Sequence, residues 1–243
     1  MSQPTSTREV VDAVDVLWDR RPLATRGPKA TLSLDAIAAA AVEIADADGV
    51  GAVSMQRVAE HLGFTKMALY RHVPNKDVLL AVMIDLAVDV PPDLDAVRGG
   101  WRGKLTRYAE LLWAVWQAHP WLPTVTLGSR VMGPNETGWV ERAVRCLADT
   151  GLTGDQQIDA VLLLSAHVRM AHSLSTAGSF PWDADRRLTA AMTDVLRERA
   201  DDFPSILAAI AGATGRPVRS VADGIGLACV LDGIDHQVRA RSG

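Results

Sequence analysis

Apolar residues recur at helical spacing along most of the chain, and small polar residues punctuate the runs. Leu34, Ile37, Ala38, Ala41, Ile44 and Ala45 form one stripe behind Ser33 and before the stop DADGVG. Ser33 is a residue type whose hydroxyl satisfies an early helical N–H. Ser54 opens a second run with Val58, Ala59 and Leu62 inward, ended by Gly63. Thr65 opens a third, carrying Leu69 and Val73 and closed by Pro74; Asn75 opens a fourth on Leu79, Val82, Met83 and Leu86, closed by DVPPD. Beyond Pro92 the pattern predicts helices over 101–119, 136–150, 155–176, 184–199, 204–211 and 221–241. The 155–176 helix is apolar on nearly every side (Ile158, Val161, Leu162, Leu163, Leu164, Val168, Met170, Leu174), so cover on all sides is needed, part of it from a second subunit. Upstream, Val10, Val11, Val14, Leu17 and Trp18 suggest a short amphipathic helix before the break DRRPLATRGPK.

The two short runs around Gly63 hold too little apolar surface for a core of their own. With the 34–48 helix as floor they make a three-helix unit of helix-turn-helix pattern. The face from Thr65 to His72 is then left outward, and its Thr, Lys, Tyr, Arg and His side chains suit a polyanion; a solvated helical hairpin is the plain alternative. Composition supports the all-α fold: 48% of the 243 residues are hydrophobic, rich in Ala, Val and Leu, and only 5% are aromatic. Charge sharpens the picture. The net charge is −4, yet between Arg20 and Lys76 eight basic residues face five acidic ones, a basic end on an acidic body. The expected organisation is an N-terminal basic extension (1–30), a helix-turn-helix DNA-binding domain (31–77) and a larger helical ligand-binding and dimerisation domain (78–243). The N-terminus has no secretory signal and no run is long enough to span a bilayer, so a cytoplasmic protein is expected, with Cys146 and Cys229 as core thiols.

The stretch ALYRHVPNKDVLL closely resembles the recognition-helix signature of the tetracycline-repressor family of one-component bacterial regulators. TVTLGS, DTGLTGDQQIDAVLLLSAHV and GLACVLDGIDHQV resemble the ligand-binding and dimer-forming half of the tetracycline repressor more than that of the wider family. The resemblance implies that Thr65 caps the recognition helix and touches a phosphate, Lys66 and Met67 face base edges, and Tyr70 and His72 hold the DNA backbone. Lys76 would meet a phosphate, and Ser54 and Arg57 would complete the set from the second helix. Arg26 and Lys29 would extend the footprint into a flanking groove. Where the tetracycline repressor reads guanine with arginine this chain has Gln56, a residue that pairs bidentately with adenine. Its magnesium-binding histidine falls at Thr126 and another pocket histidine in Pro91-Pro92, so neither a metal nor tetracycline is expected here, and no cofactor.

Seven Trp among twelve aromatic residues is an unusual share. Tyr108, Leu112 and Trp116 fall at i, i+4, i+8, with Trp113, Trp121 and Trp139 nearby in sequence or pattern; Leu164 and Val168 match the family's pocket positions. Together with Thr126 they outline a cavity for a planar or macrocyclic apolar molecule, although core packing is the ordinary role of any one Trp. His119, His167 and His172 are candidate polar handles. Catalysis is not expected, because no Glu-x-x-His, CxxC, HExxH, Gly-rich phosphate loop or GxSxG occurs. The expected function is a homodimeric repressor, paired through helices 155–176 and 221–241, on a palindromic operator from which a hydrophobic small molecule releases it. The alternative is a DNA-binding regulator without an inducer, acting through protein partners.

Overall fold

The computed structural model describes residues 14–18, 32–128, 130–176, 187–213 and 217–242, and among these it is helical with no extended strand. The helices are α1 (Leu34–Asp48), α2 (Met55–Leu62), α3 (Lys66–Tyr70), α4 (Lys76–Val88), α5 (Gly100–Ala118), α6 (Leu122–Val125), α7 (Pro134–Arg145), α8 (Gly154–Thr176), α9 (Ala190–Glu198), α10 (Pro204–Ala211) and α11 (Gly226–Ser242). A single 3-10 turn, Val50–Ala52, follows α1.

Cα packing divides the chain into two compact units: residues 1–96 with 114–145, and residues 97–113 with 146–243. In the first, α1 packs on α2 and α4, α2 on α3, and α4 on α7. The predicted stripe of α1 is the buried one from Ile37 onward, joined by Ala40 and Val42. Helix α4 is buried nearly all round, including Asp85, whose side chain is 1% exposed. That carboxylate accepts the main-chain N–H of Asn135 (2.8 Å) and Glu136 (3.1 Å), so a side chain from α4 caps the first turn of α7. Gly133 makes room for it, since a Cβ there would collide with the Asp85 carboxylate. Asn135 Nδ2 donates in turn to the Asp85 carbonyl (3.0 Å), and Arg130 and Glu136 form an ion pair alongside.

A second polar tie joins α1 to the segment after α5. Asp46 accepts from Trp121 Nε1 (2.7 Å) and pairs with His119 Nδ1 (2.9 Å), and Trp121 is buried. His119, a candidate polar handle, is therefore held within the protein through Nδ1. Residues 14–18 are helical, with Leu17 fully buried and Trp18 Nε1 donating to the Met132 carbonyl (3.1 Å). The rest of the predicted N-terminal helix, Val10 and Val11, lies outside the described residues.

In the second unit α8 packs on α11. Several boundaries move from those predicted. Helix α7 ends at Arg145 rather than 150, and α11 begins at Gly226 rather than 221, because Asp223 accepts from the N–H of Arg219 and Ser220 and folds 219–223 into a turn. Residues 184–186 of the predicted 184–199 helix lie outside the described residues, and α9 begins at Ala190. The spacing of Ile225, Ala228, Leu231 and Ile234 reads as one stripe on the predicted 221–241 helix, and burial within the subunit divides it. Leu227, Leu231 and Ile234 are buried, whereas Ile225 is 78% exposed and Ala228 is exposed. Ile225 stands just ahead of the helix, its carbonyl accepting the N–H of Cys229 (2.9 Å). Cys229 is also exposed, not a core thiol.

Candidate nucleic-acid interface

Four polar caps set the geometry of the basic end. Ser33 Oγ accepts from Ala36 N (3.1 Å), Ser54 Oγ from Arg57 N (3.2 Å), Thr65 Oγ1 from Ala68 N (3.3 Å) and Asn75 Oδ1 from Val78 N (2.9 Å). Each satisfies one of the N–H groups a helix start leaves over. Between α2 and α3 the chain turns at Gly63 (φ 71°, ψ 26°), a left-handed conformation that glycine adopts without a Cβ penalty. Phe64 N returns to Ala59 O (2.9 Å), closing the end of α2. Val58, Ala59, Ala68 and Leu69 are buried beneath.

This arrangement leaves Gln56, Arg57, Thr65, Lys66, Met67, Tyr70, His72 and Lys76 exposed on the outer side of α2, α3 and the start of α4. Met67, an apolar side chain, is 75% exposed rather than packed in the core. The Lys66 ammonium stands 5.6 Å from the centre of the Tyr70 ring, an i, i+4 cation–π pair that holds both side chains outward. The Thr65 hydroxyl uses its oxygen as the cap, leaving its O–H to donate to a phosphate. Lys76 begins α4, where the helix dipole also favours an anion.

Two further residues of the set are engaged with acidic side chains. Arg57 pairs with Asp48 across the α1–α2 contact, both about half exposed, a bond weak enough to be exchanged for a phosphate. The Gln56 amide donates to Glu60 Oε1 (2.6 Å). Sequence reading missed Glu60, although its i, i+4 spacing from Gln56 was the available signal. His61 likewise pairs with Glu43 of α1 (3.0 Å). Arg26 and Lys29 lie outside the described residues.

The residues expected around a ligand divide between the two units. In the unit of residues 97–113 and 146–243, Tyr108, Leu112 and Trp113 of α5 and Leu164 and Val168 of α8 are all buried. There Trp113 meets the buried His172 edge-on, ring centres 5.9 Å apart, while His167 Nε2 contacts the Val221 carbonyl (3.3 Å). In the other unit, Trp116 and Trp139 are buried and Thr126 half-buried. Trp139 Nε1 donates to the Asp89 carbonyl at the end of α4 (3.2 Å), and Thr126 Oγ1 to Leu122 O (2.8 Å). Among the described residues no three His, Cys, Asp or Glu side chains gather to hold a metal, and no helix is long and apolar enough to cross a membrane.

The comparisons agree with this geometry. Residues 23–83 match the model "Bacterial regulatory proteins, tetR family", and residues 92–238 match "Tetracyclin repressor-like, C-terminal domain". The transcriptional repressor DrrR1 of Streptomyces coeruleorubidus is 32% identical over 256 aligned residues, covering 100% of this chain and 92% of that protein. An HTH-type transcriptional regulator of Saccharopolyspora erythraea is 30% identical, covering 83% and 84%. Among solved structures, ActR of Streptomyces coelicolor in complex with actinorhodin is 25% identical with a TM-score of 0.66, covering 87% of this chain and 97% of that one. With its C-terminal model spanning more than half of the sequence and a relative aligned over the whole of this chain, the chain belongs to the tetR family of bacterial helix-turn-helix transcriptional regulators.

Proposed function

We propose that the protein is a homodimeric repressor released from a palindromic operator by a hydrophobic small molecule. The observation that carries the DNA-binding half is the exposed set Lys66, Met67, Tyr70, His72 and Lys76 around a capped five-residue helix. Lys66 and Met67 would reach base edges and the others the phosphates, with residues 31–77 as the DNA-binding part. Dimerisation is supported by α8, where Ile158, Leu162, Ala166 and Met170 leave one helical face exposed, Leu162 by 62%. An apolar face of that length on a regulator calls for a second copy. Gly233 on α11, beside which a Cβ would meet open space, would let the partner approach closely.

The effector reading rests on the buried aromatic side chains of α5 and on ActR, which has been solved with actinorhodin and with (S)-DNPA. An inducer must bind the released conformer better than the DNA-bound one, because equal affinity shifts nothing. A duplex selected from a random library by the protein supplies the probe. Planar apolar compounds, with actinorhodin among the test molecules, are then titrated while release and tryptophan fluorescence are followed. Release accompanied by quenching supports the reading. Stable binding and unchanged fluorescence with the whole panel would favour regulation through protein partners instead.

A further inference from the structure

We infer that Glu60 is a specificity-determining positioning residue, which fixes the amide of Gln56 so that helix α2 accepts adenine and rejects guanine; this rests on the reading of α2 and α3 as the DNA-facing helices. The Gln56 Nε2 to Glu60 Oε1 distance is 2.6 Å, both residues are exposed, and they stand one turn apart on the same face of α2. A carboxylate only accepts hydrogen bonds, so it decides which way the amide points. Were the amide flipped, two oxygens would face each other at this distance. The nitrogen therefore faces Glu60, and one of its two hydrogens is committed there. What Gln56 can still present is Oε1 as acceptor and a single N–H as donor.

That remaining pair has one good partner in the major groove. Adenine offers an N6 donor beside an N7 acceptor, matching an acceptor and a donor. Guanine offers two acceptors, N7 and O6, which would need two hydrogens from Gln56. With one hydrogen held by Glu60, guanine would set O6 against Oε1. The Glu60 carboxylate adds its own repulsion toward an edge made only of acceptors. Without Glu60 the amide regains both hydrogens, so it still pairs with adenine but can also turn its NH2 toward guanine.

The experiment uses the full-length protein and the duplex it selects from a random library. Each adenine in a half-site is replaced by guanine, and the ratio of the two affinities is measured for wild type, Gln56→Ala, Glu60→Ala and Glu60→Gln. The ratio is read rather than the affinity, because removing an acidic side chain near phosphates tightens binding to every sequence. At one position wild type should prefer adenine by at least roughly five-fold, the lower end of what a bidentate pair carries. Gln56→Ala should bring that ratio close to one, and Glu60→Ala should lower it at least about two-fold from wild type, because an unheld amide still pairs with adenine but no longer rejects guanine. Glu60→Gln, whose amide oxygen still accepts from Gln56, should keep most of the ratio. If Gln56→Ala abolishes the preference while Glu60→Ala leaves it intact, the role of Glu60 is overturned and the base contact stands. If Gln56→Ala changes the ratio at no position, α2 does not read the base, and the underlying placement of Gln56 fails as well.

Discussion

Replacing Asp85 by alanine isolates the tie between α4 and α7. Its Oδ1 accepts two main-chain N–H groups, from Asn135 at 2.8 Å and Glu136 at 3.1 Å, and the residue is 1% exposed. A hydrogen bond to a charged acceptor contributes about 1.5–3 kcal/mol. Asn135 and Glu136 are half-buried, so some water can reach the orphaned groups, and the lower figure applies to each. Asp85→Ala should therefore cost about 3 kcal/mol. For a chain of this length that lowers the melting temperature by roughly 6–12 °C. Asp85→Asn keeps an acceptor oxygen but not the charge, and should lose about half as much. Gly133→Ala drives a methyl group into the same carboxylate and should reproduce much of the loss. In the Asp85→Ala background it should cost less than alone, since the two changes break one contact. Thermal unfolding followed by far-ultraviolet circular dichroism measures all of these. An Asp85→Ala protein melting within about 2 °C of wild type, or an asparagine variant as unstable as the alanine one, would refute the capping argument.

Three further outcomes are expected. Lys76→Ala should weaken binding about equally on all duplexes and reduce the slope of log affinity against log salt by roughly one unit, measured by titration at several salt concentrations. A changed base preference with an unchanged slope would contradict a phosphate contact. Leu162→Glu, on the exposed face of α8, should shift sedimentation toward the monomer and abolish operator binding while leaving the helical spectrum intact; an intact dimer would show that another face pairs. The equivalent change at Leu231, 3% exposed, is a poor test because it would disrupt the subunit's own core. Asp46→Ala removes the acceptor of the buried Trp121 N–H and should destabilise by about 1–3 kcal/mol, whereas Trp121→Phe, which removes the donor as well, should rescue part of that loss in the double variant.

The sequence was most informative where a structural choice is local. A cap needs one side chain and a backbone three residues on, so Ser33, Ser54, Thr65 and Asn75 are all legible in the sequence, and each caps as expected. The exposed surplus on α8 was also legible, because a helix apolar on every side cannot be covered by one neighbour. Asp46 and Asp85 were missed because their partners lie 50 or more residues away. Asp46 sits in a stretch that otherwise reads as a helix stop, and Asp85 is a single carboxylate in an apolar run. Such a residue announces that something must satisfy it, but not what. Helix α11 was placed too early for another reason. Its start depends on a turn closed by Asp223, and Ile225 stands just ahead of it.

Helix α3 is only five residues long, and at about 1.5 Å per residue it rises roughly 7.5 Å, some two base-pair steps. On the proposed reading, with Gln56 added, one subunit would interrogate about three or four base pairs, and a symmetric pair about six to eight. A code of that length has on the order of 10³–10⁵ words, against at least about 10⁶ competing positions in a genome. Tens to hundreds of chance matches then compete with the intended address. In such a complex the missing information would be carried by the distance between the two half-sites and by the stiffness of bases that no side chain touches.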